Sequence, residues 1–254
     1  MIYFVGAGPG NKELLTIKGA KILSQADCIV YAGSLVNTEL LEEVKKCCAI
    51  YDSSKMTLEE VMDTMLRYEK NQQIIVRLHT GDPSIYGAVR EQIDWLKKHD
   101  IRYEIIPGVS SFSAAAAVLG AEYTLPGISQ TVILTRMEGR TPVPPKESIC
   151  ELAKIQTSMV IFLSGNQLSE LSAQLLEGGY TADTPAAIVY KVTWSDEIVI
   201  KTTVGKLDEA GKENNITRTA LILVGRFLGD TYERSQLYHP EFSHGYRTGG
   251  QDDA

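Results

Sequence analysis

Apolar residues in this chain come in short unbroken runs separated by stretches with apolar positions three and four apart. The first pattern predicts strands buried on both faces and the second predicts amphipathic helices. In the first half the strand-like runs are IYFV (2–5), CIVYAG (28–33), IIVRL (74–78) and RYEIIPG (102–108). Between them lie helix signals. TIKGAKILSQA (16–26) has Thr16 as N-cap and places Ile17, Ala20 and Leu23 on one face. NTELLEEVKKC (37–47) has Asn37 as a cap, and TLEEVMDTMLRYEK (57–70) opens on Thr57 with the spacing of a capping box. A further helix runs through Trp95. Continuous apolar strands alternating with helices predict an α/β fold with a parallel-rich sheet covered on both faces.

The second half follows a helix of small residues, SSFSAAAAVLG (110–120). Its strands are TVILT (131–135), MVIFL (159–163), AAIVY (186–190), EIVIKTTV (197–204) and ALILVG (220–225). The closeness of AAIVY to EIVIKTTV predicts an antiparallel hairpin. Two α/β domains are expected, 1–120 and 121–254, with a loose tail.

Composition narrows the function. Hydrophobic residues make up 44% and charged residues 22%, which suffices for a sizeable core. A net charge of −7 argues against a nucleic-acid partner, because phosphate neutralisation needs a basic face. Four cysteines without a C-x-x-C and four scattered histidines predict reduced thiols in a cytoplasmic protein and no metal site. No apolar run approaches the ~20 residues of a membrane span, and no signal peptide is expected.

Candidate chemistry lies in three loops where strands stop and helices begin: VGAGPG (5–10), HTGDPSIYG (79–87) and IPGVSS (106–111). The first departs from the dinucleotide fingerprint. Gly6 and Gly8 fit it, but Asn11 stands where the third glycine belongs, and no acidic residue ends the second strand. A tight turn without a ligand and a turn offering its backbone to a ligand both remain open on these residues. Three such loops in order frame one crevice at the carboxyl ends of the strands, where open α/β sheets bind ligands.

These loops, with YAGSLVN (31–37), TVILTRMEGRTPVP (131–144), YKVTWSDE (190–197) and the tail QLYHPEFSHGYR (236–247), resemble the tetrapyrrole methylases from Tyr3 to the tail. YAGSLVN with EGRTPVP resembles the branch of that family that methylates C11 of precorrin-4 or cobalt-precorrin-4 in cobalamin biosynthesis. One departure is Asn11-Lys12 after the glycine loop, where Asp-Pro is common in the family.

The resemblance implies two α/β domains with S-adenosylmethionine in the cleft between them, S-adenosylhomocysteine as product, a small-molecule tetrapyrrole substrate and a homodimer. By motif it implies cofactor contacts at Pro9, Thr80, Gly81, Asp82, Ile85, Ser110, Ser111, Leu163, Ala187 and Val192. Leu163 and Ala187 read equally as ordinary core. No catalytic triad, thiol or metal is needed for transfer from a sulfonium, and neither Asp82 nor His79 is assigned as a base. Substrate carboxylates call for cations, and Arg136 and Arg140 in a proline-stiffened loop are the candidates. Lys55, Arg77 and Arg90 are lesser ones. The alternatives are another tetrapyrrole such as uroporphyrinogen III, a sister precorrin, a modified histidine on a protein, a nicotinamide oxidoreductase, and a non-catalytic module that binds S-adenosylmethionine.

Overall fold

The computed structural model describes residues 1–42 and 44–250. The chain forms two compact units. The first comprises Met1–Ala115 and Lys191–Glu197; the second comprises Ala116–Tyr190 and the chain from Ile198 onward. The division falls a few residues before the expected boundary, and the short connector 191–197 joins the first unit.

The first unit holds an all-parallel sheet of β1 (Ile2–Gly6), β2 (Cys28–Tyr31), β3 (Ala49–Asp52), β4 (Ile75–His79) and β5 (Tyr103–Ile106), in the order β3-β2-β4-β1-β5. Alternate residues feed two cores, as the period of a strand requires. Ile2, Phe4, Val30 and Ile75 pack with Val61, Met62 and Met65 of α2 (Leu58–Glu69) and with Ile93 and Leu96 of α3 (Val89–Lys98). On the other face Val5, Ile29, Val76, Leu78 and Ile106 pack with Leu23 of α1 (Ile17–Ser24) and with Val36 and Leu40.

Three local outcomes differ from the pattern reading. The inward stripe of α1 is Gly19 and Leu23, while Ile17 is 77% exposed. A Cβ on Gly19 would lie 3.2 Å from Val5 Cγ1, so this glycine is the point of closest approach to the sheet. Among the described residues of 37–47, only Thr38–Leu41 forms a helical turn, a 3₁₀ turn capped by Asn37. Strand β3 is half-exposed at the sheet edge and carries no apolar run to announce it.

The second unit is a mixed sheet of β6 (Val132–Arg136), β7 (Ser158–Phe162), β8 (Pro185–Tyr190), β9 (Ile198–Thr203) and β10 (Ala220–Val224). Its order is β6-β7-β10-β8-β9, with only β6 and β7 parallel. β8 and β9 pair antiparallel, the hairpin the sequence predicts. Met159, Ile161, Ile188 and Ile222 form its core with Leu171 and Leu175 of a helix at Leu168–Glu177 and Leu207 of another at Leu207–Glu213. No helix among the described residues is long and apolar enough to cross a membrane.

The capping box of α2 is complete. Thr57 Oγ1 accepts the Glu60 N–H at 3.3 Å, and Glu60 Oε2 accepts the Thr57 N–H at 2.8 Å. Thr57→Ala is expected to cost about 1 kcal/mol of stability, a fall in melting temperature of roughly 2–4 °C. Calorimetry on the variant checks this, and an unchanged melting temperature would contradict it.

Candidate functional site

The order β4-β1-β5 sets the three glycine-containing loops side by side. Their backbones then continue the pairing beyond the strands. The Ala7 N–H donates to the His79 carbonyl at 2.7 Å. Gly81 N–H donates to the Gly8 carbonyl at 2.8 Å and Gly8 N–H to the Gly81 carbonyl at 3.2 Å. Gly8 and Gly81 have φ of +73° and +58°, the left-handed region glycine enters without strain. Contact across the loops leaves no room for side chains. A Cβ on Gly6 would sit 2.6 Å from Gly108 Cα, and one on Gly108 would sit 2.2 Å from the Gly81 carbonyl oxygen.

Asp82 latches the outer two loops together. Its Oδ2 accepts the Gly108 N–H at 2.8 Å, and its Oδ1 accepts the Ser84 N–H at 2.8 Å and the Ser84 hydroxyl. Partial burial pushes the Asp82 carboxyl up. The Ser84 hydroxyl, the Gly108 amide and the Ser84 amide together outweigh that and hold it below the usual carboxylate range. The carboxylate is thus committed to structure.

The crevice arises because neighbouring strands send the chain to opposite faces. After β1 the chain enters α1 on one face; after β4 it enters α3 on the other. This is a topological switch point, where ligands settle outside the carboxyl ends of the strands.

A second set of side chains grips the glycine loop itself. The Trp194 indole N–H donates to the Pro9 carbonyl at 2.9 Å, and Asn37 Nδ2 donates to the Gly10 carbonyl at 3.1 Å. The Asn11 N–H donates to Thr193 Oγ1 at 2.9 Å.

Beneath the crevice lie two buried bases. Arg77 donates from Nη1 to the Val30 carbonyl at 3.0 Å and from Nε to Gln92 Oε1 at 3.2 Å, and burial lowers it to about 10. His79 stacks on Phe4, and burial followed by the Arg77 charge lowers it to about 3. It is therefore neutral at physiological pH and poorly placed to accept a proton.

Of the residues singled out from the sequence, the first unit gathers Pro9, Thr80, Gly81, Asp82, Ile85, Ser110 and Ser111 on the three loops, and Val192 on the connector. Pro9, Gly81, Ser110 and Val192 are buried; Thr80, Asp82, Ile85 and Ser111 are half-buried. The other four belong to the second unit. Leu163, just after β7, is 57% exposed with φ of +54°, whereas Ala187 is fully buried in β8. Arg136 donates to the carbonyls of Met137, Thr141 and Pro142, so it folds its own loop, and Arg140 at the tip of that loop is exposed. Among the lesser cations Arg77 is interior, and Arg90 pairs with Asp94 at 2.8 Å. Trp194, Thr193 and the Asn37 side-chain donor carry no sequence signal of their own. They lie inside YKVTWSDE and YAGSLVN, but only the fold brings them to the glycine loop.

Comparison with known proteins agrees with this geometry. Residues 1–208 match the family model described as Tetrapyrrole (Corrin/Porphyrin) Methylases. The cobalt-precorrin-4 C(11)-methyltransferase of Methanocaldococcus jannaschii is 52% identical over 97% of this chain and 95% of its own length. The precorrin-4 C(11)-methyltransferase of Pseudomonas aeruginosa is 40% identical over 98% of this chain and 99% of its own length. Among solved structures, a cobalt precorrin-4 methyltransferase superposes with a TM-score of 0.88 at 44% identity, covering 90% of this chain and 96% of that one. A uroporphyrin-III C-methyltransferase from Thermus thermophilus, complexed with S-adenosylhomocysteine, shares the fold at TM-score 0.76 and 24% identity, covering 89% and 98%.

The Asp82 latch predicts an acid response. A carboxyl held low in the folded state stabilises it above the unfolded carboxylate value of about 3.9, and the contribution is lost as pH falls through the folded value. Asp82→Asn is expected to lower stability at pH 7 and to flatten its decline below pH ~4. Urea titrations of both proteins across that range check this; parallel acid limbs would contradict the latch.

Proposed function

We infer the reaction from one premise: the chain belongs to the tetrapyrrole (corrin/porphyrin) methylases. It is an S-adenosylmethionine-dependent C-methyltransferase of cobalamin biosynthesis, and it methylates C11 of cobalt-precorrin-4 or precorrin-4. The observation that carries this is identity of 52% and 40% across nearly the whole chain to enzymes named for that step. The higher figure belongs to an enzyme named for the cobalt-containing substrate, so we take the cobalt form as the natural substrate.

The residues of the first unit fit the methyl donor. The crevice is walled by glycine backbone that admits no Cβ at Gly6 or Gly108, and the Asp82 carboxylate is already engaged. Such a wall suits a compact ligand read by backbone and small side chains, and strand β2 ends without the acid a dinucleotide ribose needs. We assign donor contacts in the first unit to Pro9, Thr80, Gly81, Asp82, Ile85, Ser110, Ser111 and Val192; for the second unit the family resemblance implies Leu163, while Ala187 is fully buried in β8. Leu163 supports its assignment by being exposed in a left-handed conformation, a costly state for a leucine that a ligand would cover.

S-adenosylmethionine supplies the methyl group on a sulfonium, already activated toward a carbon nucleophile. The protein's share is then placement. Closely packed loops hold the donor in place for in-line transfer. No side chain is assigned as a base, since His79 is neutral and interior and Asp82 is a latch.

For the substrate we assign Arg140. Arg136 stiffens the loop by binding three of its carbonyls, and Arg140 is displayed at the tip for a carboxylate rim. We further take the enzyme to be a cytoplasmic homodimer, as family resemblance implies; sedimentation tests the assembly.

The deciding experiment is an anaerobic assay with methyl-labelled S-adenosylmethionine and three acceptors: cobalt-precorrin-4, metal-free precorrin-4 and uroporphyrinogen III. Label at C11 of the first, read by mass spectrometry and carbon NMR, is the expected result. Label only on uroporphyrinogen III would overturn the C11 reading. Arg140→Ala is expected to raise the tetrapyrrole KM roughly tenfold, the loss of a charge-assisted contact, with S-adenosylhomocysteine affinity unchanged. An unchanged tetrapyrrole KM would remove Arg140 from the site.

A further inference from the structure

We propose that Trp194, Thr193 and Asn37 form a clamp on the Pro9–Asn11 backbone and act as positioning residues for the methyl donor. The proposal rests on the methyltransferase reading above and deepens it.

The clamp holds consecutive peptide groups. A peptide unit is planar and trans, so its N–H points opposite its carbonyl. With the Pro9 carbonyl held by the indole N–H, the Gly10 N–H is turned away from Trp194. The next unit is pinned at both ends: Asn37 holds the Gly10 carbonyl, and Thr193 Oγ1 accepts the Asn11 N–H. The indole also fills the space beside the loop, since a Cβ on Gly10 would lie 2.1 Å from Trp194 Cδ1. Orientation of the loop is thereby fixed by side chains 27 and 185 residues away in sequence.

The connector is strained where it grips. Lys191 and Thr193 have φ of +45° and +67°. For a β-branched residue such as Thr193 this is a genuine outlier, and its persistence requires surroundings that over-determine it. Those surroundings are present. Glu197 Oε2 accepts the Thr193 N–H at 2.6 Å, Lys191 pairs with Asp196, and the Lys191 ammonium lies 5.1 Å from the centre of the Trp194 ring. The strain delivers Thr193 Oγ1 and the Trp194 indole to the same loop.

This assigns part of YAGSLVN and YKVTWSDE to the donor rather than to the tetrapyrrole. Asn37 closes the first motif and Thr193-Trp194 lie at the heart of the second, and all three bind the glycine loop. Asn37, in the string that resembles a C11-specific branch, therefore governs donor affinity.

The test uses variants that each remove one bond of the clamp; Asn37→Asp also sets a carboxylate against the Gly10 carbonyl. Asn37→Asp keeps the oxygen that caps the following turn, where Oδ1 accepts the Glu39 N–H at 3.1 Å, and loses the donor. Trp194→Phe keeps a ring in place without the N–H. Thr193→Val keeps the shape without the acceptor, and Thr193→Ser restores the hydroxyl. S-adenosylhomocysteine binding is measured by calorimetry on the full chain, and KM for both substrates is measured well below each melting temperature. Trp194→Phe and Thr193→Val are each expected to weaken S-adenosylhomocysteine binding roughly fivefold to tenfold, the worth of one hydrogen bond, and Asn37→Asp by at least as much because it adds a charge beside the Gly10 carbonyl. The S-adenosylmethionine KM should rise in step, the tetrapyrrole KM should stay within about twofold of wild type, and Thr193→Ser should bind nearly as wild type. A general loss of structure would not split the two constants in this way. Should Asn37→Asp or Trp194→Phe fail to fold, the Thr193→Ser and Thr193→Val pair decides, and should Thr193→Val fail, Trp194→Phe decides. If wild type binds S-adenosylhomocysteine and the variants bind it equally well, or if only the tetrapyrrole KM moves, the clamp is wrong and the methyltransferase reading stands. If wild type binds none, both fall.

Discussion

Three backbones meet at Gly6, Gly81 and Gly108 at distances that admit no side chain on Gly6 or Gly108. Parallel strands lie about 4.8 Å apart, and the loops after β4, β1 and β5 keep that closeness past the strand ends because two adjoining positions lack a Cβ. The Gly8–Gly81 pair adds two hydrogen bonds that extend the β1–β4 ladder. Asp82 then fastens the third backbone through Gly108. A half-buried carboxylate is costly unless satisfied, and three donors satisfy this one. Loops are ordinarily the mobile part of an α/β domain. Here they are built as tightly as the sheet.

The layer beneath transmits the same rigidity to α3. Arg77 reaches from β4 to the Val30 carbonyl of β2 and to Gln92 of α3, and Gln92 Nε2 donates to the Ala88 carbonyl at 3.0 Å. Ala88 is the residue before α3 and has φ of +47°, so the network fixes a helix start that has no side-chain cap. Burial lowers the guanidinium to about 10, which leaves it charged at neutral pH. That charge, added to burial, keeps His79 neutral. The two bases serve the scaffold, and the crevice above them is left to backbone.

The strands of both units could be read in the sequence, because an unbroken apolar run flanked by glycine or proline has few other uses. Strand β3 could not, since an exposed edge needs no such run. The 37–47 stretch misleads because among its described residues only Thr38–Leu41 forms a turn; Asn37 caps that turn as the sequence predicts and also holds Gly10, which the sequence does not announce. The three loops were legible for a physical reason: glycine frees the backbone and proline fixes it, and both effects are local. The clamp was not, because Trp194 and Asn37 act on carbonyls far off in sequence and leave no spacing to read. Arg136 shows a different limit. A guanidinium in a loop has the same letter whether it faces a ligand or, as here, the carbonyls of its own turn.

A methyl transfer from sulfonium to carbon needs little from acids and bases, and this site offers little. Neither His79 nor Asp82 is available as a base. What an enzyme can supply instead is orientation, worth about 7–11 kcal/mol when the reacting atoms are held in line. Orientation of that quality depends on loops that do not move, and a displacement of 1 Å can cost about a hundredfold in rate. Single hydrogen bonds of about 1 kcal/mol cannot provide such a rate directly. Their value lies in number and direction: glycine contacts remove slack between the loops, Asp82 closes the third side, and the strained connector fixes the glycine loop from outside. The left-handed Thr193 fits this balance, because a strained residue persists only where its neighbours hold it, and the bonds it completes are those that fix the glycine loop.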